Sequence, residues 1–249
     1  MTLIYKPKGK AQEYAELALN IYKGCQHGCR YCYNTKTPWT DREKYYLDAD
    51  PKKDFLKRLE IDAKKIALEY GAACPEILLS FVGDVYQPAD EAFNLARPTI
   101  EILIDHGLPF TILSKGGMRA TKDFDILKHY KKFRAGTSLV FWDQEKASRL
   151  EPGAAAIKDR VDSILKAHEL GIKTWISIEP VIYQGDAIKI LENLGTLVDQ
   201  VKVGKINHYK KYDFYKPADW RSWRDQKLIP FLSRLKTEYY IKDSLRGLK

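Results

Sequence analysis

Apolar and polar positions along this chain fall into blocks whose period changes repeatedly. Residues 76–82, Glu-Ile-Leu-Leu-Ser-Phe-Val, form a near-continuous apolar run with turn residues on either side. Such a run suits a strand buried on both faces. Runs at 110–113, 135–141, 173–178 and 198–203 predict further strands. A shorter, partly apolar stretch at 17–23 leads into a cysteine-rich loop. Between these runs the spacing becomes helical: Phe55, Leu56, Leu59, Ile61, Ile66 and Ala67 predict a helix over 54–70. Helical spacing returns at 90–106, where Pro98 is placed to start or kink the helix, and at 123–130. It returns again at 158–170, ending at Gly171, at 187–194, ending at Gly195, and at 228–238.

Doubly buried strands separated by amphipathic helices predict an α/β protein, a parallel sheet covered by helices with right-handed crossovers. About six units fit the length, fewer than the eight of a closed barrel. The expected architecture is therefore a partial (β/α)6 TIM-like barrel, a curved open sheet with outer helices. Without an internal repeat or a low-complexity linker, residues 1–249 are expected to form a single domain, its core at about 17–205 and extensions at 1–16 and 204–249.

Composition narrows this picture only modestly. The chain is 45% hydrophobic and 12% aromatic, enough for one large core. No apolar run approaches the roughly 20 residues that span a bilayer, and the N-terminal MTLIYKPKGKAQEYAE lacks the apolar stretch of a signal peptide. Four cysteines without obvious pairs fit a reducing, cytoplasmic setting. The net charge of +9, from 42 Lys and Arg against 33 Asp and Glu, favours anionic partners, nucleic acid first, although basic small-molecule enzymes are common.

Three of the cysteines, Cys25, Cys29 and Cys32, lie in one run, Gly24-Cys-Gln-His-Gly-Cys-Arg-Tyr-Cys-Tyr33. Three thiolates in a short C-x₃-C-x₂-C loop can hold three irons of a [4Fe-4S] cubane and leave the fourth without a protein ligand. An open iron can bind and reduce a substrate or cofactor. A structural zinc site is the alternative, but closed zinc sites take four ligands. His27 is poorly placed as the fourth, and Cys74 is remote and more consistent with a small apolar residue.

In a parallel sheet, ligands bind at the carboxyl ends of the strands. Those ends carry Gly83-Asp84-Val-Tyr-Gln-Pro88, Ser114-Lys115-Gly-Gly117, Thr137-Ser138, Ser177-Ile-Glu179-Pro180 and Gly204-Lys-Ile-Asn207. Each alone is ordinary turn chemistry; the series beside the cysteine loop makes a candidate site.

The cysteine run, with Tyr31 immediately before the last sulfur, resembles the signature of the radical SAM superfamily over roughly residues 17–205. Ser80–Pro88, Leu150-Glu-Pro152 and Ile178-Glu-Pro-Val181 are similar to segments of its spore photoproduct lyase-like branch. The resemblance implies an iron-sulfur enzyme that binds S-adenosylmethionine (SAM) at the open iron and takes an electron from a flavodoxin- or ferredoxin-like donor. It would cleave SAM reductively to a 5′-deoxyadenosyl radical, which abstracts a substrate hydrogen. It further implies Asp84 at the SAM amino group and Ser138 at a ribose hydroxyl. Ser114 and Lys115 would lie near the carboxylate and Glu179 by the nucleoside, with Tyr31 a further cofactor-binding residue; Ile178 and Val203 could wall the adenine, although core packing is their default role. Val82-Gly83-Asp84 departs from the common Gly-Gly-Glu. No cysteine follows Cys74, so the lyase's downstream cysteine donor has no counterpart here.

Residues 201–226 carry seven Lys or Arg against three Asp, interleaved with Tyr209, Tyr212, Phe214, Tyr215, Trp220 and Trp223. This composition suits a nucleic-acid surface, or equally a C-terminal cap whose aromatics pack inward. The sequence leaves the substrate undetermined, with a nucleotide or nucleic acid as one candidate. A peptide or metabolite substrate, and a non-catalytic nucleic-acid-binding module with a structural metal, are the alternatives.

Overall fold

The computed structural model describes residues 2–37, 40–206, 212–214 and 218–248. Eight strands pair in sequence order: β1 (Ile4–Tyr5), β2 (Leu17–Leu19), β3 (Ile77–Leu79), β4 (Phe110–Ser114), β5 (Phe133–Ser138), β6 (Lys173–Val181), β7 (Gln200–Lys205) and β8 (Glu238–Ile241). All neighbouring pairs are parallel except β1 with β2. The predicted six strands, β2 to β7, are thus present as a curved, open parallel sheet. The terminal regions add an antiparallel strand at one edge and a seventh parallel strand at the other.

Each helix covers the sheet for the reason its spacing predicts. Phe55–Tyr70 buries Phe55, Leu59, Ala63 and Ile66 along one stripe and leaves Ile61 and Leu68 exposed. Leu59 is fully buried, so Leu59→Ala would cost about 2–5 kcal/mol. Ile157–Glu169 and Gln184–Leu194 do the same with Ile164 and Ala167, and with Ala187, Ile190, Leu191 and Leu194.

Several boundaries differ from expectation. The helix expected over 90–106 is two helices, Ala89–Phe93 and Ala96–Asp105. Asn94 breaks them with φ +47°, and Pro98 sits harmlessly in the first turn of the second. The strand expected at 135–141 begins and ends earlier, and that at 198–203 lies two residues later. At 123–130 the helix shortens to Phe124–Leu127, preceded by a 3₁₀ turn over Gly117–Asp123. The helix expected over 228–238 stops at Leu232, and Glu238–Ile241 is strand β8. Gln144–Leu150 is a helix the pattern did not suggest; Asp143 caps it, accepting from Lys146 N at 3.0 Å.

Alternation along the strands separates two environments. Ile112, Ala135, Ile176, Val201 and Val203 are buried beneath the helices. The intervening positions, Thr111, Arg134, Gly136, Trp175, Ser177 and Lys202, line the concave side. Trp175 fills its floor: Nε1 donates to Thr111 Oγ1 (2.8 Å), and a Cβ on Gly136 would lie 2.4 Å from the indole. Among the described residues β1 and β8 do not pair. Residues 13 and 14 tie the N-terminal segment to β6 and to the region of β8. Tyr14 OH hydrogen-bonds Ser177 Oγ (2.7 Å) and donates to Glu179, while Glu13 accepts from Tyr240 OH (3.1 Å) and Asp243 N (2.6 Å).

Candidate active site

The cysteine loop leaves the carboxyl end of β2 and is held by main-chain and side-chain contacts from four separate segments. Cys25 N donates to Tyr45 O (2.9 Å), and Tyr46 OH donates to Cys29 O (2.6 Å). Gln87, fully buried, accepts from Gln26 N (2.8 Å) and donates to Gly24 O (3.2 Å). The segment 150–153 lies against the loop from the other side. Arg30 N donates to Leu150 O (2.8 Å) and Gly153 N to His27 O (2.9 Å), while Tyr31 OH donates to Glu151. Close approach explains two glycines. A Cβ on Gly153 would meet Gln26 O at 2.1 Å, and one on Gly24 would meet Tyr45 O at 2.3 Å.

Asp84 is the polar centre beneath this loop. Its carboxylate accepts from Ser114 Oγ (2.7 Å), Tyr86 N (2.9 Å) and Lys115 N (2.7 Å), and lies 3.0 Å from His27 Nε2. The other nitrogen of His27, Nδ1, faces Gly153 O at 3.0 Å. Both ring nitrogens therefore face acceptors. Burial alone would raise the Asp84 pKa. The His27 ring and the donors from Lys115 and Ser114 outweigh it and hold the carboxyl well below the usual carboxylate range. A ligand ammonium reaching Asp84 would displace one of these donors.

Six of the polar residues singled out from the sequence fall into two groups. Asp84, Ser114, Lys115, Ser138 and Tyr31 come together: Lys115 Nζ donates to Ser138 Oγ (2.8 Å) and lies 5.7 Å from the Tyr31 ring centre. Glu179 belongs to a second cluster across the concave side, with Tyr14, Ser177 and Lys242, whose Nζ is 3.1 Å away. Ile178 and Val203, expected as an apolar wall, are fully buried partners in register on the helical side of the sheet, so neither faces the site. Cys74 is half-buried against the core.

Where it is described, segment 201–226 follows the cap reading, with its aromatics packed inward. Tyr212, Trp220 and Trp223 are buried, so they cannot stack on bases. Tyr212 OH donates to Tyr31 O (2.9 Å), and Arg30 lies 5.9 Å from the Phe214 ring centre, which packs 212–214 onto the cysteine loop. Asn207, Tyr209 and Tyr215 lie outside the described residues. Spacing had not revealed Gln87, Glu151, Arg160 or Tyr14 as parts of this region. Glu151 and Gln87 do stand inside the Leu-Glu-Pro and Tyr-Gln-Pro segments already noted.

The donor set fits a cluster. The three thiols are free. Burial pushes Cys29 up to about 12 and raises Cys25 and Cys32 as well, so thiolates here need a cationic centre to balance them. Among the described residues no three His, Cys, Asp or Glu side chains are gathered to hold a metal ion. A single zinc, at about 2.3 Å from each sulfur, draws its ligands to one point. A cubane takes each thiolate on a different iron.

A family model described as the radical SAM superfamily matches residues 19–197. The chain belongs to the radical SAM superfamily. It is 26% identical over 172 residues to an uncharacterised protein of Methanocaldococcus jannaschii, an alignment covering 68% of this chain and 61% of that one. The chain thus spans about three-fifths of that relative's length. Among solved structures it is similar to a spore photoproduct lyase with bound S-adenosylmethionine and dinucleoside spore photoproduct. The TM-score there is 0.70 at 16% identity, covering 95% of this chain and 78% of the lyase. It is also similar to Streptococcus suis SuiB bound to its precursor peptide SuiA. That match has a TM-score of 0.66 at 15% identity and covers 90% of this chain and 48% of SuiB. At these identities the two structures share the fold with this radical SAM protein. No described helix is long and apolar enough to cross a membrane.

Proposed function

We propose that this protein is a radical SAM enzyme in which Cys25, Cys29 and Cys32 hold a [4Fe-4S] cluster with one open iron. The observation that carries the reading is a loop of three free, half-buried to buried thiols, fixed from four segments at the carboxyl edge of a parallel sheet. When bound, the cluster supplies an electron for reductive cleavage of SAM, and the 5′-deoxyadenosyl radical so released takes a hydrogen atom from substrate. The chain's own part is to bind, orient and exclude water. We assign the SAM carboxylate to Lys115, the ribose to Ser138 and the nucleoside to Glu179 and Tyr31. Asp84 and Ser114 would set the amino end. The electron comes from a flavodoxin- or ferredoxin-like protein in a reducing cytoplasm.

The substrate we favour is a nucleotide or nucleic acid, supported by the net charge of +9. Burial of Tyr212, Trp220 and Trp223 leaves recognition to cations such as Arg30, whose side chain is 39% exposed and ion-paired with Asp213. A peptide is the competing substrate.

Anaerobic reconstitution tests the core of this reading. The expected result is roughly four irons per chain and release of 5′-deoxyadenosine from SAM on reduction. Cys25→Ala should lose both while keeping the fold by circular dichroism. Stoichiometric zinc with no SAM cleavage would overturn it. An oligonucleotide substrate should bind with strongly salt-dependent affinity; salt-independent capture of peptide would replace it.

A further inference from the structure

The cysteine loop rests on a buried ion pair, Glu151 with Arg160, that the assigned chemistry does not use. Glu151 and Arg160 are almost fully buried, at 2% and 1% exposure, and their charged ends lie 2.7 Å apart. Arg160 is anchored by Nε to Ala155 O (2.8 Å) and by Nη1 to Ser138 O (3.2 Å). Lys115 Nζ stands 4.0 Å from Glu151 Oε1, the oxygen that also accepts a hydrogen bond from the Tyr31 hydroxyl. One carboxylate is therefore shared between two cations and the aromatic residue adjoining Cys32. The segment that carries it is hydrogen-bonded to the cysteine loop at residues 27 and 30.

We infer that Glu151 is a positioning residue whose charge, set against Arg160 and Lys115, fixes the reduction potential of the cluster held by Cys25, Cys29 and Cys32. The inference rests on the cluster reading given above. Its physical basis is that a potential follows the net charge near the cluster, and that buried charges are only weakly screened. With Glu151 in place the three side chains sum to a single positive charge. Glu151→Gln leaves two, keeps an acceptor for the Tyr31 hydroxyl and conserves volume. The reduced cluster is then favoured. Arg160→Met leaves none, and the shift reverses.

The test is an EPR-monitored redox titration of reconstituted holoprotein without SAM, with iron and sulfide measured on each sample. Glu151→Gln should raise the midpoint potential by an amount equivalent to about tenfold in the reduced-to-oxidised ratio, about 59 mV for one electron. Arg160→Met should lower it, and the double variant should return towards the parent. Tyr31→Phe, which removes the hydroxyl but no charge, should leave it unchanged. If the buried variants do not hold a full cluster, Lys115→Gln on the partly exposed member makes the same test and should lower the potential. Parental potentials in variants with a full cluster, or shifts of one sign for both single substitutions, would overturn the inference. Failure of the parent protein to take up a cluster would instead sink the function proposed above.

Discussion

Replacing Gln87 by methionine removes the two hydrogen bonds that grip the chain on either side of Cys25 while nearly preserving volume. Gln87 Oε1 takes the Gln26 amide at 2.8 Å, and Nε2 donates to Gly24 O at 3.2 Å, in a position with no exposure. Each bond contributes about 1 kcal/mol net, and each buried backbone group left unpaired costs about 1–3 kcal/mol. The ordered loop should lose about 2–4 kcal/mol, roughly 30- to 1000-fold in its population relative to open forms. For a chain of this size, 1 kcal/mol corresponds to about 2–4 °C, so the apo protein should melt roughly 4–16 °C lower if the loop unfolds with the rest. The assay pairs that melting point with iron retention during a timed chelator challenge after anaerobic reconstitution. Iron should leave Gln87→Met much faster than the parent. Equal iron retention and an equal melting point would refute the argument that this side chain prearranges the cysteines.

Two further outcomes follow from packing and charge. Gly153→Ala places a methyl 2.1 Å from Gln26 O, backbone against backbone, and should cost about 1–3 kcal/mol, read as a lower melting point with poorer cluster uptake. Lys202 is buried over Trp175 and Tyr14, and burial, reinforced by Arg134 and Lys242, pushes it from an ordinary value near 10.5 down to about 8. Below pH 8 it is protonated in both folded and unfolded chains and the full penalty is present. Between pH 8 and 10.5 the unfolded chain holds more protons, so stability rises with pH through that window. The span is at most about 3 kcal/mol. Urea melts of the parent and Lys202→Met should diverge most at pH 7 and converge by pH 10.5; a gap that does not change with pH would show that the buried charge carries no such cost.

Local signals were legible in the sequence, and pairings across long separations were not. Ile77–Leu79 declares itself as a central strand because all three side chains are buried. The cysteine spacing is readable because ten consecutive residues contain it. The backing of that loop by 150–153 depends on contacts more than a hundred residues apart, so the Leu-Glu-Pro resemblance marks the segment without saying what it touches. Arg160 occupies a charged position in an amphipathic helix and looks solvent-exposed; only the fold shows it turned inward to Glu151. Leu228, Leu232 and Leu235 keep helical spacing past the point where the helix ends. The edge strand Glu238–Ile241 is half exposed and has no apolar run to mark it. Interleaved Lys and Trp cannot by themselves say which side faces water, and here Trp220 and Trp223 face the core.

The joint made by Glu13 and Tyr14 with Tyr240, Lys242 and Asp243 ties opposite ends of the polypeptide together. Each terminal segment therefore lends the other its fastening: strip away the leading residues and the Lys242 ammonium keeps Glu179 but loses Glu13, so trimming one end should fray the other.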